Sequence, residues 1–166
     1  QPMTDQIRRR FIAGLVLCSA CVVATGTVAI SQLRRLQTFE KSKLVIETGA
    51  GRHDFTVEIA RHQGQQAQGL MFRRKLAADA GMLFLYRRFR PASMWMKNTY
   101  VPLDMIYIDR MGTIVGYHER AVPGSLEVIT SQKPVSAVLE VNSGTVSRLK
   151  IAVGDKVIHP AFQAKK

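Results

Sequence analysis

Residues Trp95-Met96-Lys97-Asn98-Thr99-Tyr100-Val101-Pro102-Leu103-Asp104 crowd an aromatic ring, an ammonium, a carboxamide, a hydroxyl and a carboxylate into ten positions. Glu140 adds a second carboxylate between the apolar Leu139 and Val141. Two carboxylates beside a cation are the parts of general acid–base catalysis, which works when neighbouring carboxyls are held at different pKa values. The same groups also build ion-pair networks that fix a turn. Asn98 and Thr99 can bond nearby backbone groups or present donors to a ligand. Trp95 is either a platform for a bound ring or a large core residue. Two functions follow. The first is a ligand- or partner-binding surface made of Trp95, Lys97, Asn98, Thr99, Asp104 and Glu140. The second is a hydrolase-like enzyme that uses Asp104 and Glu140 with Lys97 as electrophilic helper. The binding surface takes precedence, because the cluster is dense but fits no reaction signature.

Other chemistries find little footing. His53, His62, His118 and His159 lack metal-ligand spacing, so no metal and no cofactor is expected. The chain carries no Gly-rich phosphate loop, nucleophile elbow or catalytic cysteine. Methionines 71, 82, 94, 96, 105 and 111 read as adaptable core filler.

Charge adds a third reading. The chain of 166 residues has a net charge of +12. Between residues 73 and 97, Arg73, Arg74, Lys75, Arg87, Arg88, Arg90 and Lys97 face one acid, Asp79. Such a field favours anionic partners, with Arg73, Arg74, Arg87 and Arg88 as candidate anion-binding residues, or a basic module that lies on a membrane surface. It is equally the composition of a solvated basic face.

Short segments must position these groups. Leu44–Thr48 and Phe55–Ile59 read as a hairpin, and Gln63–Arg74 as a helix with Ala67, Leu70 and Met71 on one side. Gly81–Tyr86 is an apolar strand. Ala92–Lys97 and Leu103–Asp109 are strands around the turn Asn98–Pro102, which would set Lys97 close to Asp104. Thr113–His118, Val135–Val141 and Lys156–Ile158 complete about eight short strands, with a second helix over Gly144–Ile151. That pattern predicts a mainly all-β domain, a β-sandwich or a partly open β-barrel with two short helices. Residues 43–160 form the domain, residues 32–42 a polar linker and residues 161–166 a tail.

The amino-terminal segment has a different character. Arg8, Arg9 and Arg10 precede Phe11–Ile30, twenty residues without a formal charge. As a helix this run would span about 30 Å, one hydrocarbon core. Residues 1–31 therefore read as a signal or membrane-anchor segment that meets the membrane through residues 11–30. Arg8-Arg9-Arg10-Phe11-Ile12 also fits a twin-arginine export pattern. Cys18 and Cys21 lie within the run, which leaves the domain free of cysteine. The expected location is exported, either periplasmic or anchored to the cytoplasmic membrane with the domain outside, and nucleic acid is not an expected partner.

Six blocks occur in order: Gly69-Leu70-Met71-x-Arg73, Gly81-Met82-Leu83-Phe84, Trp95-Met96-Lys97-Asn98-Thr99, Pro102-Leu103-Asp104, Val138-Leu139-Glu140 and Gly154-Asp155. Over about residues 43–158 they resemble the prokaryotic family known as domain of unknown function 192. The resemblance implies a compact β-rich domain, usually behind an export signal, and brings no assigned activity. Three positions depart from the family's pattern: Met94 replaces an aromatic residue, Tyr86-Arg87-Arg88 replaces a stretch that often carries a proline and an acid, and Lys150 replaces a glycine.

Overall fold

A computed structural model describes residues 36–163. The leader (residues 1–31) and the first part of the linker lie outside the described residues. Among those described, no helix is long and apolar enough to cross a membrane.

The domain begins earlier than its hydrophobic pattern suggests. Strand β1 (Glu40–Thr48) takes in three residues assigned above to the linker, and it pairs antiparallel with β2 (Gly51–Ala60) across a two-residue turn. Helix α1 spans only Gln63–Gln68. It stops because Gly69 takes φ 49° and ψ −134°, and its α-carbon packs against Phe84, where an added Cβ would meet the ring at 3.1 Å. The chain then returns as β3 (Ala80–Arg90), parallel to β2. Strand β4 is only Ser93–Met94 and pairs with β7 (Ile129–Thr130) in a separate two-stranded sheet.

Strands β5 (Leu103–Ile108), β6 (Ile114–Ala121) and β8 (Val135–Asn142), helix α2 (Thr145–Leu149) and strand β9 (Lys156–Ile158) follow. The main sheet has the order β6-β5-β8-β3-β2-β1-β9. Its two edges approach each other: Thr113 bridges Lys156, Ile114 N–H donates to Asp155 at 2.9 Å, and Val157 N–H donates to Gly112 at 2.7 Å. A Cβ at Gly112 would fall 2.4 Å from the Val157 carbonyl oxygen, so this closure needs glycine. Among the described residues the fold is mostly β: nine strands, a main sheet curled into a half-barrel, and two short helices. Pro160–Phe162 forms a 3₁₀ turn, and Phe162 packs on the core rather than trailing as a tail.

Strand alternation divides the apolar residues into two layers. Inside the curl, Leu44, Ile46, Val57, Leu83, Ile106, Ile114 and Leu139 pack with Val146 and Leu149 of α2. On the outer face, Met82, Phe84, Leu103, Met105, Tyr107 and Val138 are covered by Leu70, Ala92, Met96 and Val101 from the connecting segments. Both faces of β5 and β8 are buried as a result.

Candidate functional site

Pairing register decides which predicted site residues can meet. Asp104 lies opposite Val141, and Met105 lies opposite Glu140. Directly opposed residues share a face, and successive residues alternate. Asp104 therefore points into the curl and Glu140 to the outer face, so one sheet thickness separates the two carboxylates. The predicted hairpin bringing Lys97 to Asp104 is absent as well. Strand β5 is paired on both sides, by β6 and β8, and leaves no edge for the segment before it. The two-carboxylate hydrolase reading is corrected on this geometry.

Asp104 has a structural task. Its side chain is fully buried and accepts N–H donors from Arg120 and Val146, each at 2.9 Å. The first donor comes from a bulge in which β6 spends three steps, His118 to Ala121, against two on β5, with Arg120 at φ 56°. The second comes from the first turn of α2. Each of these N–H groups would cost about 1–3 kcal/mol if left without an acceptor.

Trp95, Thr99 and Glu140 do come together. They line a cleft of about 280 Å³ between α1 with the turn after it and the end of β3, where Gln66, Tyr86, Arg90 and Met94 complete the wall. Residues 95–97 continue as loop rather than as the predicted strand Ala92–Lys97, because the backbone bonds of the 95–99 segment are made elsewhere. Met96 N–H donates to Ser125, Gly124 N–H donates to Met96 and Thr99, and Phe72 N–H donates to the Asn98 carbonyl at 2.8 Å. Asn98 sits at φ 54°, a conformation asparagine tolerates better than most residues, and its side chain is exposed. Thr99 is buried, its hydroxyl donating to the Lys97 carbonyl at 3.3 Å. Trp95 is 46% exposed, and Lys97 Nζ lies 5.1 Å from its ring centroid. Lys97 is thus a cap on the tryptophan and not a partner of either carboxylate.

Glu140 is the unusual group. It is 4% exposed, flanked by Met82 and Met105 on the neighbouring strands, and has no hydrogen-bond donor among the described residues. Desolvation pushes its carboxyl up from 4.5 to about 8. Burial, reinforced by the nearby Glu140 charge, raises Tyr107 to about 12 and raises Tyr86 further still. Among the described residues the Tyr86 hydroxyl finds only Met94 Sδ, at 3.2 Å, and the buried Tyr107 hydroxyl finds no partner. The cleft floor is therefore a desolvated carboxyl with phenols close by. A wider depression of about 530 Å³ beside Tyr117 and Lys150 has Val146 and Ile151 on its walls, and its polar lining groups are exposed.

The basic residues divide. Arg73 pairs with Glu58 and stacks over Phe39, and Arg74 lies over Tyr100. Arg87 and Arg88 instead line a recess of about 380 Å³ with Arg61 and Arg90. Sequence reasoning missed Tyr86, Arg90 and Gln66. Tyr86 follows Met82 and Phe84 at strand spacing, a signal that could have placed it on Glu140's face. Among the methionines, Met82, Met96 and Met105 are fully buried, whereas Met111 is 73% exposed. Among the described residues no three His, Cys, Asp or Glu side chains converge as metal ligands.

The sequence profile of the DUF192 family, described as "Uncharacterized ACR", matches residues 44–159. The chain belongs to this family. It is similar to a candidate transcription regulator from Sinorhizobium meliloti 1021, with 47% identity over 76% of this chain and 98% of that one, and a TM-score of 0.73. It is also similar to a protein of unknown function from Novosphingobium aromaticivorans DSM 12444, with 36% identity over 75% of this chain and 89% of that one, and a TM-score of 0.72. Comparison with curated proteins gives no match.

The desolvated carboxyl has a pH signature. Below about pH 4.5 Glu140 is protonated in folded and unfolded chains alike and costs nothing. Between pH 4.5 and 8 only the unfolded chain ionises, so stability falls as pH rises, by on the order of 4 kcal/mol in all, and stays reduced above pH 8. Glu140→Gln removes this penalty. Denaturant melts of both proteins from pH 4 to 9 are expected to show the variant gaining on the wild type as pH rises through this window. A constant difference would mean that Glu140 is solvated or paired.

Proposed function

We propose that this protein is a ligand-binding β-domain whose site is the cleft between Trp95 and Glu140. One observation carries the reading: Glu140 is buried on a central strand, has no hydrogen-bond donor among the described residues, and lines a cleft walled by aromatic and polar side chains. A fold that gained nothing from a carboxyl there would place an apolar residue between Met82 and Met105. A bound molecule with hydroxyl or amide groups would supply the missing hydrogen bonds, and Trp95 offers a ring edge or face at the mouth. The leader adds location to this proposal, with the domain working outside the cytoplasm or on the membrane surface. Support for that part is the basic-apolar order of residues 8–30.

A nucleic-acid reading, suggested by the description of the Sinorhizobium relative, has less support. The two helices among the described residues are six and five residues long, short for a recognition helix in a major groove.

Trp95 is the only tryptophan of the chain, so its emission reports on the cleft directly. Screening neutral ring compounds that carry hydroxyl or amide groups should find members that shift Trp95 emission and raise the melting temperature. Glu140→Gln and Thr99→Val should weaken such binding at least ten-fold, the first without lowering stability and the second at a cost of about 1 kcal/mol for the lost bond to the Lys97 carbonyl. Unchanged affinity in both variants, or no compound that perturbs Trp95, would reject the site. Location has its own test: a reporter active only outside the cytoplasm, fused after residue 42, should be active, and a silent fusion held in the cytoplasm would remove that part of the proposal.

A further inference from the structure

We infer that the arginine-lined recess beside the cleft is an anion subsite, and that the molecule bound in the cleft carries a phosphate or a comparable oxyanion on the end that reaches Arg87 and Arg88. The inference rests on reading the cleft as a binding site and names the chemistry of its occupant. Cleft and recess share walls: Gln63, Gln66, Tyr86 and Arg90 line both. A molecule seated against Trp95 thus has a route along Tyr86 and Arg90 into the recess.

The charge balance there is one-sided. Arg61, Arg87, Arg88 and Arg90 surround the recess with His62 beside them. Among the described residues the only carboxylate in ion-pair range of these four is Glu40, 3.6 Å from Arg61, with both side chains largely exposed. The contrast with Arg73 is instructive. That arginine comes from the same basic stretch of sequence but is engaged by both carboxylate oxygens of Glu58. Four guanidinium groups around one concavity repel one another, and an oxyanion between them relieves that repulsion. Guanidinium forks also match the spacing of phosphate oxygens. The other end of the depression asks for a different group. The buried carboxyl of Glu140 and the ring of Trp95 suit a neutral ring with hydrogen-bonding substituents, so the occupant is bipartite: a neutral polar ring joined to an oxyanion.

Phosphate chemistry could belong to a soluble ester or to a lipid headgroup, and the test separates them. Full-length protein is titrated with inorganic phosphate at constant ionic strength held by sodium chloride, and separately with vesicles of phosphatidylglycerol or of phosphatidylcholine. The comparison variant is Arg87→Ala/Arg88→Ala, two exposed positions that do not line the cleft, with Arg74→Ala as a basic control outside the recess. Phosphate should bind to the wild type and to Arg74→Ala and at least ten-fold more weakly to the double variant. If the double variant also loses its preference for phosphatidylglycerol, the oxyanion is a headgroup; if vesicle binding is unaltered, it is a soluble ester. Phosphate binding no stronger than that of chloride, together with vesicle binding unaltered by the double substitution, overturns the subsite. That result would leave the neutral-ring screen on Trp95 untouched, so the two claims fail separately.

Discussion

Strand β8 lies in the middle of the curled sheet, hydrogen-bonded to β3 on one side and β5 on the other, with an apolar layer against each face. Every side chain on such a strand must be apolar, or be partnered, or bear the cost of desolvation. Val138, Leu139 and Val141 meet the first condition. Glu140 meets neither of the first two, and the rest of the molecule can be read around that fact. The methionines beside it offer no donor, and it lines the cleft between α1 and the 95–99 loop.

Asp104 shows how the same fold treats a carboxylate whose role is structural. Its two oxygens are taken by two backbone N–H groups that a bulge and a helix start leave over, and these bonds tie the edge strand β6 and helix α2 to the centre of the sheet. Two acidic residues, each fully or almost fully buried, thus stand on opposite faces with opposite fates. One is saturated and closed. The other is unsatisfied and opens onto a cavity, which is the arrangement expected of a binding group held ready for a ligand.

Much of the fold was legible because it rests on local patterns. The strands read at Phe55–Ile59 and Val135–Val141 lie within β2 and β8, and the one read at Leu44–Thr48 lies within β1. Helix α1 was overextended because Leu70 and Met71 continue a helical spacing, while Gly69 ends the helix through a contact with Phe84 fifteen residues away. Nothing local encodes that contact. For the site, the composition of Trp95–Asp104 pointed to the right neighbourhood but could not divide it. Which face each residue takes depends on β5 pairing with β8, forty residues distant, and a single step of register separates Asp104 from the face of Glu140. Tyr86, Arg90 and the split among the arginines likewise depend on how β3 runs past α1, a tertiary relation invisible in the basic run itself.

Glu140 is a desolvated carboxyl on the cleft wall, with no hydrogen-bond donor among the described residues, and the site depends on it. Carbon-13 NMR of the glutamate Cδ atoms, with Glu140 assigned by its loss in the Glu140→Gln variant, measures this directly. A Glu140 titration midpoint near 8, well apart from the exposed glutamates, is expected. A midpoint in the ordinary carboxylate range of about 4–5 would show a hydrated or paired group, and would contradict the cleft as a site built around it.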